Sequence, residues 1–179
     1  GQSPKSEFYN SDGEGLPFHQ GVTDFGNRFP THTKYCTVEN RVAEQSDILF
    51  SVRAPVGRIN LADRKLIIGR GICAIRSKSG NQVFLFHQLT DKFQEEDTMG
   101  SGAIFNAVTK KDMQDIKLLT PQVSIVAQFE EIVTPLFAEI KNLTIKTTNS
   151  RTTRDLLLPK LVSGEVDVSG LVVERAFDV

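Results

Sequence analysis

Tryptophan is absent from the 179 residues, and there are only 2 cysteines, 2 methionines and 3 histidines. Two cysteines, Cys36 and Cys73, are too few for a disulfide framework and show no metal-ligand spacing, so free thiols in a reducing cytoplasm are expected. His19, His32 and His87 are spread along the chain without the spacing of a metal site. No apolar run approaches the ~20 residues that a membrane helix needs, so no membrane partner is expected. The polar opening Gly1-Gln2-Ser3-Pro4-Lys5 is unlike a secretory leader and lacks methionine, which points to a fragment or a processed chain. No phosphate-cradling glycine loop with its lysine occurs, which argues against nucleotide hydrolysis. Nor does an Asn- or Asp-Pro-Pro-aromatic sequence, which a base methyltransferase needs to hold its target amine. No serine or cysteine stands in a recognisable nucleophile pattern. A non-catalytic chain without a cofactor is the expectation.

The composition that remains is that of a soluble globular chain, with 39% hydrophobic and 24% charged residues. Net charge is only −1, yet the sign is unevenly spread. Between Ser51 and Arg76 stand Arg53, Arg58, Arg64, Lys65, Arg70 and Arg76 against Asp63 alone, a local excess of five positive charges. Such a patch can neutralise phosphates on a nearly neutral chain, because attraction decays over about 10 Å at moderate salt.

The stretch 121–158 dominates the second half. Ile125, Phe129, Ile132, Leu136, Ile140 and Leu143 recur at steps of three and four, the period of one helix face. Gln128, Glu131, Glu139 and Asn142 occupy the far side. A helix over this stretch is roughly 55 Å long at about 1.5 Å per residue, more than one small domain needs for its own core. An arm that packs on a partner helix satisfies the pattern; so does an amphipathic helix folded back on its own domain. Pro135 is a point for a kink or a restart, and Thr144, Thr147, Thr148, Asn149 and Ser150 weaken the middle. Pro159 is expected to end it. Glu139-Ile140-Lys141 has the acid-x-lysine form of some nuclease sites but lacks their strand context, and reads as a solvated helix face.

Upstream, turn formers fill residues 1–26. Strands are expected at Leu16–Phe18, 31–38, 47–52, 58–62, 66–69, 72–75 and 116–119, with a helix over 83–93 on a Val83, Phe86, Leu89, Thr90 and Phe93 face. Thr109-Lys110-Lys111-Asp112 looks like a helix start. After Pro159, a turn and an alternating strand are expected over 162–168. Short strands followed by one long helix argue for an α+β class: a mixed domain of many short strands and a long C-terminal helix able to form a coiled coil.

The binding candidates lie on loops. Gln20, Gly21 and Thr23, and Gly100, Ser101 and Gly102, combine close backbone approach with amide and hydroxyl groups. Arg53, Arg58 and Arg70 flank turns, where a guanidinium can fork onto guanine or phosphate, and Lys110 and Lys111 can add phosphate contacts. The alternative is that these arginines make structural salt bridges; Arg53 and Arg70, set between buried strands, suit that role.

An ordered set of short pieces goes further. Gly1-Gln2-Ser3-Pro4, Gln20-Gly21, Asp47-Ile48-Leu49, Arg53-Ala54-Pro55-Val56-Gly57, Gly69-Arg70-Gly71, and Gly100-Ser101-Gly102 before Ile104-Phe105 come first. Pro121 with Gln128, and Leu157-Leu158-Pro159-Lys160-Leu161 before Ser163-Gly164-Glu165, complete it. The chain resembles half of a specificity subunit of a type I restriction-modification system. The resemblance implies a target recognition domain at residues 1–120, a spacer helix at 121–158 and a C-terminal strand or tail at 159–179. It implies double-stranded DNA as a partner, one half of a split target being read. It also implies docking to a methyltransferase subunit and, through it, to a nuclease-translocase subunit. In that family two recognition domains stand on antiparallel helices whose length sets the gap between half-sites. Ile125 to Leu143 is then the interface for a partner helix, which a second copy can supply as a homodimer. The chain departs from the pattern in lacking the strand expected before Gly1 and a second recognition domain, which suggests a half-subunit or a C-terminal fragment.

Overall fold

The structure is a computed structural model that describes residues 1–98 and 108–170. It divides into two compact units, Gly1–Thr134 and Pro135–Val179. The first carries eight short strands: β1 (Tyr9–Asn10), β2 (Leu16–His19), β3 (Tyr35–Cys36), β4 (Val42–Ala43), β5 (Ile48–Ser51), β6 (Ile59–Leu61), β7 (Leu66–Ile68) and β8 (Ile72–Ile75). They form a five-stranded sheet ordered β1-β3-β2-β7-β4 and a three-stranded sheet ordered β6-β5-β8. Only β2 and β7 run parallel among these pairs; Phe18 faces Ile67 and His19 faces Ile68 in that register.

The unbroken Leu66-Ile67-Ile68 run has a physical reason. Successive strand residues point to opposite faces. Leu66 and Ile68 join Ala43, Leu49, Ala62 and Ile72 in one core cluster, while Ile67 joins Phe18 and Cys36 in another. A strand with both faces covered cannot alternate with polar residues.

Helix α1 (Gln82–Thr98) lays Phe86 and Leu89 into the interior, and its Phe93 ring meets Phe50 edge-on at 4.7 Å. Its start is tied down by Gln82, whose Oε1 accepts the Ser77 amide while Nε2 donates to the carbonyls of Ser46 and Ile75. Helix α2 (Lys110–Gln114) begins at a reciprocal cap between Thr109 and Asp112, as the sequence pattern suggests.

Helix α3 (Val123–Val162) differs from expectation at three points. It continues through Pro135. Its threonine-rich middle stays helical, with the Thr144 and Thr148 hydroxyls donating back to the carbonyls of Ile140 and Thr144. It also passes Pro159 and ends three residues later. There Gly164 takes a left-handed conformation (φ +75°) and the Val166 amide returns to the Lys160 carbonyl. A left-handed glycine closes the last turn, so the stop signal is Gly164 rather than the proline.

Other expectations are corrected. Residues 116–119 form no strand, and 162–168 hold the helix end and turns. The 31–38 stretch pairs only at Tyr35–Cys36, leaving 31–34 as a loop. Among the described residues no helix is long and apolar enough to cross a membrane.

Candidate nucleic-acid interface

Three loops meet at one end of the strands through main-chain bonds. The Gly71 amide donates to the Gln20 carbonyl at 3.0 Å, and the Gly71 carbonyl accepts the Val52 amide at 2.9 Å. The close approach requires glycine: a Cβ on Gly71 would stand 2.5 Å from the Gln20 carbonyl oxygen, and one on Gly69 would stand 2.8 Å from Gln20 Cα. The two glycines therefore let Arg70 ride on a turn pressed against the Gln20 loop. On the other side Ser51 Oγ donates to the Pro55 carbonyl and accepts the Arg58 amide. The loop that carries Arg53 is folded over this buried hydroxyl.

The result is a hollow of about 480 Å³ whose lining includes Gln20, Gly21, Thr23, Lys34, Arg53 and Arg70. Five of the expected binding residues are thus brought together. Arg58 lies in a neighbouring hollow of about 570 Å³ with Arg28, Phe86 and His87. Lys110 lines an apolar depression beside Cys73, Leu89 and Met113. Lys111 is exposed in α2 and lines none of the three. Gly100, Ser101 and Gly102 lie outside the described residues.

The charge cluster is sorted by its partners. Arg76 pairs with Asp47, Arg64 with Asp63, and Lys65 with Glu39. Arg53 and Arg70, which suited structural pairing on sequence grounds, make no side-chain hydrogen bond or ion pair among the described residues. Both are exposed at the rim of the hollow. Two members of the cluster, Arg53 and Arg70, thus line the concave surface while Arg64, Lys65 and Arg76 are held in ion pairs.

Lys34, Thr33 and Asp24 also line this hollow and escape the sequence reading. The β-branched 31–38 stretch suggests a strand, and a strand would have withdrawn Thr33 and Lys34 into a ladder. The histidines differ from expectation too. His19 and His32, 13 residues apart in sequence, meet at 3.0 Å, and His32 reaches Asp63. Burial and the neighbouring His32 hold the His19 imidazole down at about 4, so it is neutral at pH 7.

The α3 residues expected to face a partner helix split in two. Ile125, Ile132, Leu136 and Leu143 are 55%, 66%, 56% and 50% exposed. Ile140 is half-buried. Phe129 is half-buried too, its ring edge-on to Phe84 at 5.4 Å and to His87 at 5.6 Å. Val126, one step around the helix, is buried. A single 3.6-residue period thus covers two adjoining stripes, one packed within the first unit and one open.

Residues 25–149 match the model of the type I restriction modification DNA specificity domain. Over 123 residues the chain is 45% identical to the putative type I restriction enzyme MjaX specificity subunit of Methanocaldococcus jannaschii, covering 68% of this chain and 29% of that protein. The HsdS subunit from Thermoanaerobacter tengcongensis superposes with a TM-score of 0.59 at 35% identity, over 93% of this chain and 42% of that one. A chain solved in work on complex assembly and conformational transition of the type I R-M system gives 0.61 at 37% identity, over 89% and 41%. The S subunit from M. genitalium, at 16% identity and 0.66, shares the fold. The chain therefore spans well under half the length of these relatives. With a family match over most of its length, the chain belongs to the type I restriction modification DNA specificity domain family.

Proposed function

We propose that the chain reads one half of a split double-stranded DNA target and that its hollow carries the readout. The observation that carries this is the pair Arg53 and Arg70, exposed and without salt-bridge partners among the described residues, beside Gln20, Thr23 and Lys34 on one concave surface. Guanidinium forks suit guanine edges and phosphates, amides suit adenine, and glycine-permitted backbone allows close approach. Lys110 and Lys111 supply outlying phosphate contacts. The role is recognition without a chemical step, in the cytoplasm, as part of a complex with a methyltransferase subunit and, through it, a nuclease-translocase subunit.

Helix α3 is the spacer. Its 40 residues extend about 60 Å at ~1.5 Å per residue. Charge along it is segregated: Glu130, Glu131 and Glu139 lie before Lys141, and Lys141, Lys146, Arg151, Arg154 and Lys160 follow with Asp155 alone opposing them. An antiparallel partner of the same sequence sets the acidic half of each helix against the basic half of the other, with opposed dipoles. The open Ile125, Ile132, Leu136 and Leu143 stripe then meets its counterpart. A second copy, or an equivalent helix of a longer subunit, fits.

The test is a gel-shift with the assembled methyltransferase complex. Arg53→Ala with Arg70→Ala is expected to abolish discrimination between target and random duplex. Undiminished discrimination would reject the hollow as the reading surface.

A further inference from the structure

A hydrogen-bonded side-chain chain joins segments that line the hollow. His19 Nε2 lies 3.0 Å from His32 Nδ1, and His32 Nε2 lies 3.0 and 3.1 Å from the two oxygens of Asp63. Asp63 also accepts from Arg64 Nε at 3.0 Å. Its carboxylate can only accept, so His32 donates through Nε2. In the neutral ring His32 Nδ1 is then bare and accepts from His19 Nε2–H. His19 Nδ1 is left unprotonated, buried and without a hydrogen-bond partner among the described residues. One end of the chain fixes the tautomers of both rings.

Each member belongs to a different segment. His19 ends β2 and directly precedes Gln20 and Gly21. His32 sits in the 31–34 loop that places Thr33 and Lys34. Asp63 lies in the turn between β6 and β7. Gln20, Gly21, Thr33 and Lys34 all line the hollow, on segments that this chain joins. Two main-chain hydrogen bonds also hold the 31–34 loop: the Thr31 amide to the Asp24 carbonyl and the Phe18 amide to the Lys34 carbonyl, both 2.8 Å. These tie the two ends of the loop to Asp24 and to β2, and the His32 ring adds the side-chain tie between them. The charged and titratable groups acting on His19 are His32, Asp24 and Asp63, with Arg64 beyond Asp63.

We propose that Asp63 is a positioning residue: through His32 and His19 it sets the separation of the two walls of the hollow, and with it the sharpness of base discrimination. The proposal rests on the hollow being the surface that reads DNA. None of the three side chains touches a base in this account.

The test uses the chain assembled with its methyltransferase subunit, selecting from a random-sequence duplex pool. The variants are Asp63→Ala, Asp63→Asn, His32→Ala, and Arg53→Ala with Arg70→Ala. Urea midpoints establish which fold. Asp63→Asn retains an oxygen that accepts His32 Nε2–H, so it is expected to keep the wild-type base preferences. Asp63→Ala and His32→Ala are expected to bind random duplex about as well as wild type, yet to flatten base preference by roughly 10-fold or more. Folded alanine variants with wild-type preferences, alongside a flattened arginine pair, would overturn the positioning role and leave the reading surface standing. Asp63→Asn behaving like Asp63→Ala would overturn it as well, because the acceptor would not be the device. Failure of both alanine variants to fold would also overturn it, making the chain a determinant of folding. An arginine pair with wild-type preferences would remove the reading surface, and the positioning role with it.

Discussion

Glu130 Oε1 accepts the Phe84 amide at 2.8 Å, so α3 caps the first turn of α1. The amides of a first helical turn have no intrahelical acceptor, and a carboxylate there also meets the positive end of the helix dipole. Within the first unit the cap sits beside the Phe84–Phe129 ring pair. Glu130→Ala is expected to cost about 1 kcal/mol, and Glu130→Gln less because an acceptor remains. Urea denaturation of the chain checks both; equal losses would assign the effect to charge alone.

Asp47 is the second anchor. Its carboxylate receives Arg76 Nε at 2.6 Å and Nη2 at 2.7 Å, and also the Glu44 amide at 2.8 Å. The Asp47 side chain is 4% exposed and that of Arg76 60%. Removing Arg76 leaves a buried carboxylate with the Glu44 amide as its remaining donor among the described residues, so Arg76→Ala should lower the denaturation midpoint. Asp47→Ala loses the turn as well and should cost more. Denaturation midpoints in that order support the anchor.

Acid should weaken the fold through His19. Its folded value lies at about 4 against 6.5, so the unfolded chain takes up the proton first. The neutral ring therefore contributes fully above pH 6.5, and that contribution is lost as pH falls from 6.5 toward 4. The difference corresponds to ~3 kcal/mol as an order of magnitude. Burial lowers His87 as well, in the same sense, so the comparison must be with a His19→Gln variant. Stability measured at pH 7 and pH 4.5 should fall less steeply in that variant. Parallel slopes would contradict the assignment.

The open stripe of α3 should govern association. Leu136→Asp and Leu143→Asp replace half-exposed leucines. The stability of the first unit is expected to stay within about 0.5 kcal/mol, as for surface changes elsewhere. Solution mass at a fixed concentration should drop from paired to single. An unchanged mass with both substitutions would show that the stripe is not the pairing surface.

What could be read beforehand follows the length of each signal. The 66–68 and 47–52 runs, the α1 face and the Thr109–Asp112 cap each fit within a few consecutive residues, so their physics is local. Tyr9–Asn10 and Val42–Ala43 are two-residue strands, no longer than one period of alternation, and are set by partners far away in sequence. The same limit hid the meeting of His19 with His32. Thr33 and Lys34 were hidden because β-branched residues suit an extended loop as well as a ladder. Arg53 and Arg70 stand out on local grounds beside turns, but only the tertiary partners of Arg64, Lys65 and Arg76 separate them from those three.

The most direct test places a photo-cross-linker at Thr23, inside the hollow, and at Ser79, an exposed residue that lines none of the hollows described. In the assembled complex bound to duplex DNA, the account predicts cross-links to DNA from Thr23 and none from Ser79. Cross-links from Ser79 with none from Thr23 would contradict it.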